Sequence, residues 1–550
     1  MSPRSLSPVL AAVLCCGACT TVAPPGAERS EPSVSAPIAT APASSVPAPA
    51  ASASTSPQAS ASASAPAPAL ASSSPFAATP APVNDPRPQI YSKARHAWIH
   101  YQPSTSSGWA GWLGLGDSVP LRSDKPVAGD GCNAFYAVEP RGYVCLDRRT
   151  TLDPNDPGYK VLRKFGPRYD TPFPHFYGES HGAPRYYTVP SQKLQRQKEY
   201  QLDDHLAALL QLREGKLPSD KAPRALVGVD PKPAGHGPDD MLSNVPARTF
   251  EEREYVGPGS AIAWTEEFDA EGRTWLVTPD YTFMPKDKIQ VYPRVSFKGV
   301  HLTDDLKLPI AYVRKQPRPK HARKDGVISP TGEQWPRFAW VALTGQTVRE
   351  GEAVYYETRD GQFIAKDDAT VVRPAPATPW GAPVDGAQDS GGEKIKYALA
   401  KPPGGRRTWI EVSVLGGWMI AYEDTRPIFA TLIAPGRGGV PTRGIDPIET
   451  ASTPVGAFRV DGKFWTGTMV NKAFVHADVP YVLNFHGAHA LHMAYWHDNW
   501  GEKTSGGCIN LSPEDSRWFF LWSEPAIPPG WHGMRSDKEA GPATIVIVHA

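Results

Sequence analysis

The sequence predicts a mainly β protein made of several units strung along linkers. Three observations predict it. At 550 residues the chain is longer than one hydrophobic core usually accommodates. Its 60 prolines, about double ordinary usage, and 48 glycines punctuate short runs of alternating aromatic and β-branched residues. Segments with a sustained helical apolar period are scarce. Lys and Arg total 57 against 56 for Asp and Glu, so no basic field points to nucleic acid.

The N-terminus speaks to compartment. Arg4 precedes a short apolar run at residues 9–14, followed by Cys15-Cys16-Gly17-Ala18-Cys19. The run is too short to span a bilayer as a mature helix but suits the apolar part of a signal peptide, residues 1–18. Gly17 and Ala18 before Cys19 resemble a bacterial lipobox, which implies lipidation of Cys19; Cys16 stands where an aliphatic residue is usual, so plain secretion stays open. Residues 19–85 are almost entirely Ala, Ser, Pro and Thr, too poor in apolar surface to fold, and read as a disordered tether. With Cys15 and Cys16 leaving with the signal, Cys132, Cys145 and Cys508 remain. In an oxidising periplasm Cys132 and Cys145 can pair across their short loop, leaving Cys508 as the odd thiol.

Residues 87–160 read as a small β module, with G-D-S-V-P-L and R-G-Y-V-C-L phrases that resemble bacterial SH3-like domains. Residues 161–249 form a linker with one helix, expected from about residue 192 to residue 214 on the spacing of Leu194, Leu202, Leu206 and Leu209. Residues 250–373 hold further strands, again SH3-like in cadence at W-L-V-T-P-D-Y-T-F, and residues 374–405 a Pro/Gly-rich boundary.

The last unit, 406–550, opens with a hairpin turning at Gly416-Gly417, continues through T-P-V-G-A-F, and closes on a strand near residues 543–548. Between them, residues 486–510 carry four histidines and Ser505-Gly506-Gly507-Cys508. A thiol, a nearby imidazole and amide donors beside glycines are the parts of a cysteine acyl-transfer site. A metal is not expected: Gly487 and strand-like surroundings break ligand spacing, and no second cysteine pair exists.

The hairpin, T-P-V-G-A-F, A-L-H-M-A-Y-W-H-D-N-W-G and S-G-G-C-I-N-L-S together resemble the YkuD-type L,D-transpeptidase catalytic domain. The resemblance implies a β-sandwich-like fold, no cofactor, and peptidoglycan stem peptides as substrate. It implies Cys508 as nucleophile and His492, 16 residues earlier, as proton donor and acceptor. It implies a supporting backbone at Gly507 and Met493, whose carbonyl orients the imidazole, and a substrate groove at Ser505, Trp496, His497 and Asn510. His486, followed by glycine, also resembles the family's base motif; His489 is expected at the surface. Two positions depart from the pattern: Gly506 replaces a histidine or other large polar residue, and Met493 replaces Gly or Ser. The expected product is a 3→3 cross-link or a protein attached through a lysine, for instance an outer-membrane protein. Hydrolysis at the same site, or a wall-binding lipoprotein without catalysis, stays open. The expected place is the periplasm, tethered to a membrane by lipid.

Overall fold

The computed structural model describes residues 85–218, 255–387, 397–402, 406–470, 475–537 and 540–550. The signal segment with Cys15, Cys16 and Cys19, and the Ala/Ser/Pro-rich stretch after it up to residue 84, lie outside the described residues, as do 219–249 of the expected linker and 250–254 of the unit after it.

The chain is mainly β. Near its start, strands β1 (Ala97–His100), β2 (Trp109–Leu113), β3 (Cys132–Ala137) and β4 (Tyr143–Cys145) pair antiparallel in the order β2-β1-β4-β3. Cys132 and Cys145 are disulfide-bonded, with Cα atoms 6.1 Å apart, tying β3 to β4. The helical stretch at 192–214 is two helices, Gln192–Lys198 and Leu202–Arg213, not one. The break has a local cause. Gln201 sits in the left-handed region at φ 51°, and just before it buried Glu199 accepts from Arg273 Nη1 at 2.6 Å. A buried charge needs its partner more than the helix needs continuity.

In the C-terminal unit, β5 (Thr408–Ser413) and β6 (Trp418–Glu423) form the expected hairpin, with Gly417 at φ +65°. A side chain there would meet the Gly501 backbone at 2.4 Å, so glycine satisfies both the turn and the packing. They are followed by β7 (Arg426–Leu432), β8 (Gly456–Arg459), β9 (Gly462–Val470), β10 (Val475–His486), β11 (His489–Met493), β12 (Ile509–Leu511), helix α1 (Pro513–Trp522), β13 (Gly533–Arg535) and β14 (Ile545–His549). One sheet runs β7-β6-β5-β14-β8, with β14 parallel to β5, and gains Val300–His301 at its β7 edge. The other carries the long β9–β10 hairpin, with β11 antiparallel to β10 and β12 parallel to β11.

The upstream strands are stitched into this second sheet. β13 pairs with β9 on one side and with β2 on the other, at Gly111↔Met534 and Trp112↔Gly533. Ala261–Trp264 joins the β10 side in parallel, at Ala261↔His476. The core is shared as well. Trp409, Ile420, Tyr422, Leu432 and Ile547 pack with Phe297, Ile310, Tyr312, Val372 and Val384. Each such buried side chain contributes about 2 kcal/mol. Ala375 and Val384, inside the expected 374–405 boundary, are buried, and the Ala375 N–H donates to Tyr422 Oη at 2.9 Å. Its Pro/Gly content marks that stretch as a boundary, yet Ala375 and Val384 are part of the core.

Candidate active site

Strand β11 and the segment leading into β12 bring the expected residues together. The parallel register sets His492 opposite Asn510, and Cys508 enters just before β12. Cys508 is fully buried, with Sγ 3.9 Å from the Ala488 carbonyl. Among the described residues it is the cysteine that stands outside a disulfide.

The Ser505–Cys508 loop is held by short-range bonds. Ser505 Oγ accepts from the Gly507 N–H at 3.0 Å and donates to the Cys508 carbonyl. Thr453 Oγ1 accepts from the Gly436 N–H at 2.8 Å and donates to the Gly507 carbonyl at 3.0 Å. Gly507 takes φ +131°, and a Cβ there would lie 2.9 Å from the Ser452 carbonyl and 3.0 Å from His489 Nε2. The Gly507 amide, expected beside the oxyanion, is therefore occupied by Ser505 in this state. Ser505 is itself buried, its hydroxyl turned into the loop.

His492 is 1% exposed, and its Nδ1 donates to the Met493 carbonyl at 2.9 Å. That puts the ring's lone pair on Nε2, the form a general base needs. Burial pushes the imidazole down to about 4, partly opposed by the Met493 carbonyl, so the ring is neutral near neutral pH. Nε2 faces Asn510 Nδ2 at 3.0 Å, and Asn510 Oδ1 faces His497 Nε2 at 3.1 Å. Trp496 lies between His492 and His476, with ring centroids 5.9 and 4.2 Å away.

His489 is only 2% exposed, not at the surface as strand alternation suggested. Every residue of β11 is buried, with β10 and β12 on either side and Gly507 of the Cys508 loop beside His489. Its Nδ1 lies 3.3 Å from the His486 carbonyl, while Nε2 makes no hydrogen bond. His486 is exposed and packs against Phe458. No group of three or more His, Cys, Asp or Glu is placed to hold a metal among the described residues.

Two contributors escaped the sequence reading. Arg314 donates Nη1 to the Gly501 carbonyl at 2.6 Å, bracing the loop between β11 and β12 from far upstream. Thr453 was visible only as part of T-P-V-G-A-F, with no sign that its hydroxyl reaches Gly507.

The second sheet thus carries the buried His492 on β11 and the buried Cys508 just before β12. Residues 407–548 match the YkuD family, described as an L,D-transpeptidase catalytic domain, and they constitute such a domain. Among solved structures, the chain is similar to an L,D-transpeptidase from Stackebrandtia nassauensis, at 22% identity over 28% of this chain and 62% of that one, TM-score 0.18. It is similar to a Xylanimonas cellulosilytica L,D-transpeptidase at 19% identity, over 28% and 65%, TM-score 0.17. A third is L,D-transpeptidase 1 of Mycobacterium tuberculosis, at 17%, over 26% and 62%, TM-score 0.18. The chain thus spans less than two thirds of each of these. No curated protein matches it.

Proposed function

We propose that the protein is a peptidoglycan L,D-transpeptidase of the cell envelope, working through a Cys508 acyl-enzyme. Cys508 Sγ attacks the carbonyl between an L- and a D-residue of a stem peptide, and its proton passes to His492 Nε2. The C–N bond then breaks, and His492 returns the proton to the departing D-amino acid. A second amine, from a diaminopimelate side chain or a protein lysine, attacks the thioester; its proton goes to His492 and then to the leaving thiolate. The supporting observation is His492, neutral and protonated on Nδ1, on the strand beside Cys508 within a matched catalytic domain. Both groups are buried, which favours an amine acceptor delivered by a peptide over bulk water. Lipidation at Cys19 and periplasmic placement complete the reading: the Ala/Ser/Pro-rich tether then lets the folded part reach the wall.

Incubating the protein with disaccharide tetrapeptides tests it. Peptide dimers and free D-amino acid are expected, both lost in Cys508→Ala; tripeptide without dimer would mean hydrolysis. Equal traces from parent and variant would reject the acyl-enzyme.

A further inference from the structure

The hydrogen bonds running away from His492 have one self-consistent direction. They begin at the Met493 carbonyl, which can only accept, so His492 Nδ1 carries the hydrogen and Nε2 the lone pair. Asn510 must then turn its NH2 group to that lone pair and its Oδ1 outward. The outward Oδ1 requires a hydrogen on His497 Nε2, at 3.1 Å. A neutral His497 so protonated bears its lone pair on Nδ1 and needs a donor there. The Asn499 backbone N–H fills that need at 3.3 Å. The two ends, a carbonyl and an amide, have fixed roles, and the five groups between and including them fit without conflict.

We infer that His497 is a positioning residue for the base: through the Asn510 amide it holds the orientation of His492 and keeps its Nε2 unprotonated. The inference rests on His492 being the base. Without a donor at position 497, the Asn510 amide is free to rotate and offer Oδ1 to His492 Nε2; with Nδ1–H still held by the Met493 carbonyl, that favours the doubly protonated ring, which has no lone pair for Cys508. The relay also resists protonation of the base. A proton on Nε2 would meet the Asn510 NH2 group donor to donor, and turning Asn510 would set its NH2 against His497 Nε2–H. The remaining titratable neighbours are His476 on β10, beyond Trp496, and Asp498 beside His497.

The test compares His497→Gln, whose amide can donate to Asn510 and accept from Asn499, with His497→Leu, which can do neither. Two readouts are used on the full chain: ring 15N shifts of His492, assigned by difference with His492→Gln, and the acid limb of the pH–kcat profile. The Leu variant is expected to show the doubly protonated ring pattern at pH values where the parent shows Nδ1–H alone, and to shift the acid limb upward by about one pH unit. The Gln variant is expected to restore both towards the parent. A parent-like Nδ1–H pattern in His497→Leu, or equal loss in both variants, overturns the role. Absence of turnover in the parent would instead overturn the catalytic reading, leaving the 15N result to judge the relay alone.

Discussion

At the scale of single residues, the site depends on backbone more than on charge. Gly507 is confined on one side by the Ser452 carbonyl and His489 Nε2, and its φ of +131° is one that side chains rarely adopt. Gly507→Ala is therefore expected to cost about 1–3 kcal/mol. It should also lower kcat, because any shift that relieves the clash moves the peptide preceding Cys508. Urea unfolding read beside turnover checks this; an unchanged unfolding midpoint would show that the loop yields freely. Met493 illustrates the converse. It departs from the family pattern in its side chain, yet the group that touches His492 is its carbonyl, which every residue has.

At the scale of elements, β12 runs directly into α1, so the same residues that end the active-site strand begin a helix. Ser512 caps that helix, its Oγ accepting from the Asp515 N–H at 3.3 Å, with Pro513 next and Glu514 and Asp515 in the first turn. Ser512→Ala should cost about 1 kcal/mol, visible as a lower denaturation midpoint at unchanged slope; a midpoint that stays put would make the cap redundant. Signals of this local kind were what the sequence made legible. The β5–β6 hairpin turned at its glycines, the closing strand lay where β-branched residues clustered, and Cys132 and Cys145 were close enough in sequence to pair. The phrases around His492 and Cys508 marked two segments that the structure pairs, β11 with β12. Partnerships between distant segments were not. Alternation marks β2 as a strand but does not say that it will pair with β13, more than 400 residues later. Nor does it reveal that Arg314 reaches Gly501, or that every residue of β11 is buried, His489 included.

At the scale of the whole molecule, buried imidazoles make stability fall with acid. Burial holds both His175 and His492 at about 4, against an ordinary value of 6.5. As pH falls below 6.5 the unfolded chain takes up protons at these rings, while the folded chain does not until about pH 4. The unfolded state binds more protons across that window, so stability declines as pH falls through it. Each ring accounts for about 3 kcal/mol by pH 4. His476, held still lower by burial, acts in the same direction. Asp515 opposes them: burial raises its carboxyl to about 6, so the folded chain takes up a proton between pH 6 and 3.8 and regains about 3 kcal/mol. The histidines outnumber it, and the net loss of about 3–6 kcal/mol is a large share of the 5–15 kcal/mol that usually separates folded from unfolded protein. Urea midpoints measured from pH 7 to pH 4 should therefore fall steadily. His175→Phe, which removes one buried ring nitrogen pair without touching the site, should reduce the slope by about 1.4 kcal/mol per pH unit. A flat profile in the parent, or an equal slope in the variant, would show that these rings gain protons in the folded state as readily as in the unfolded one.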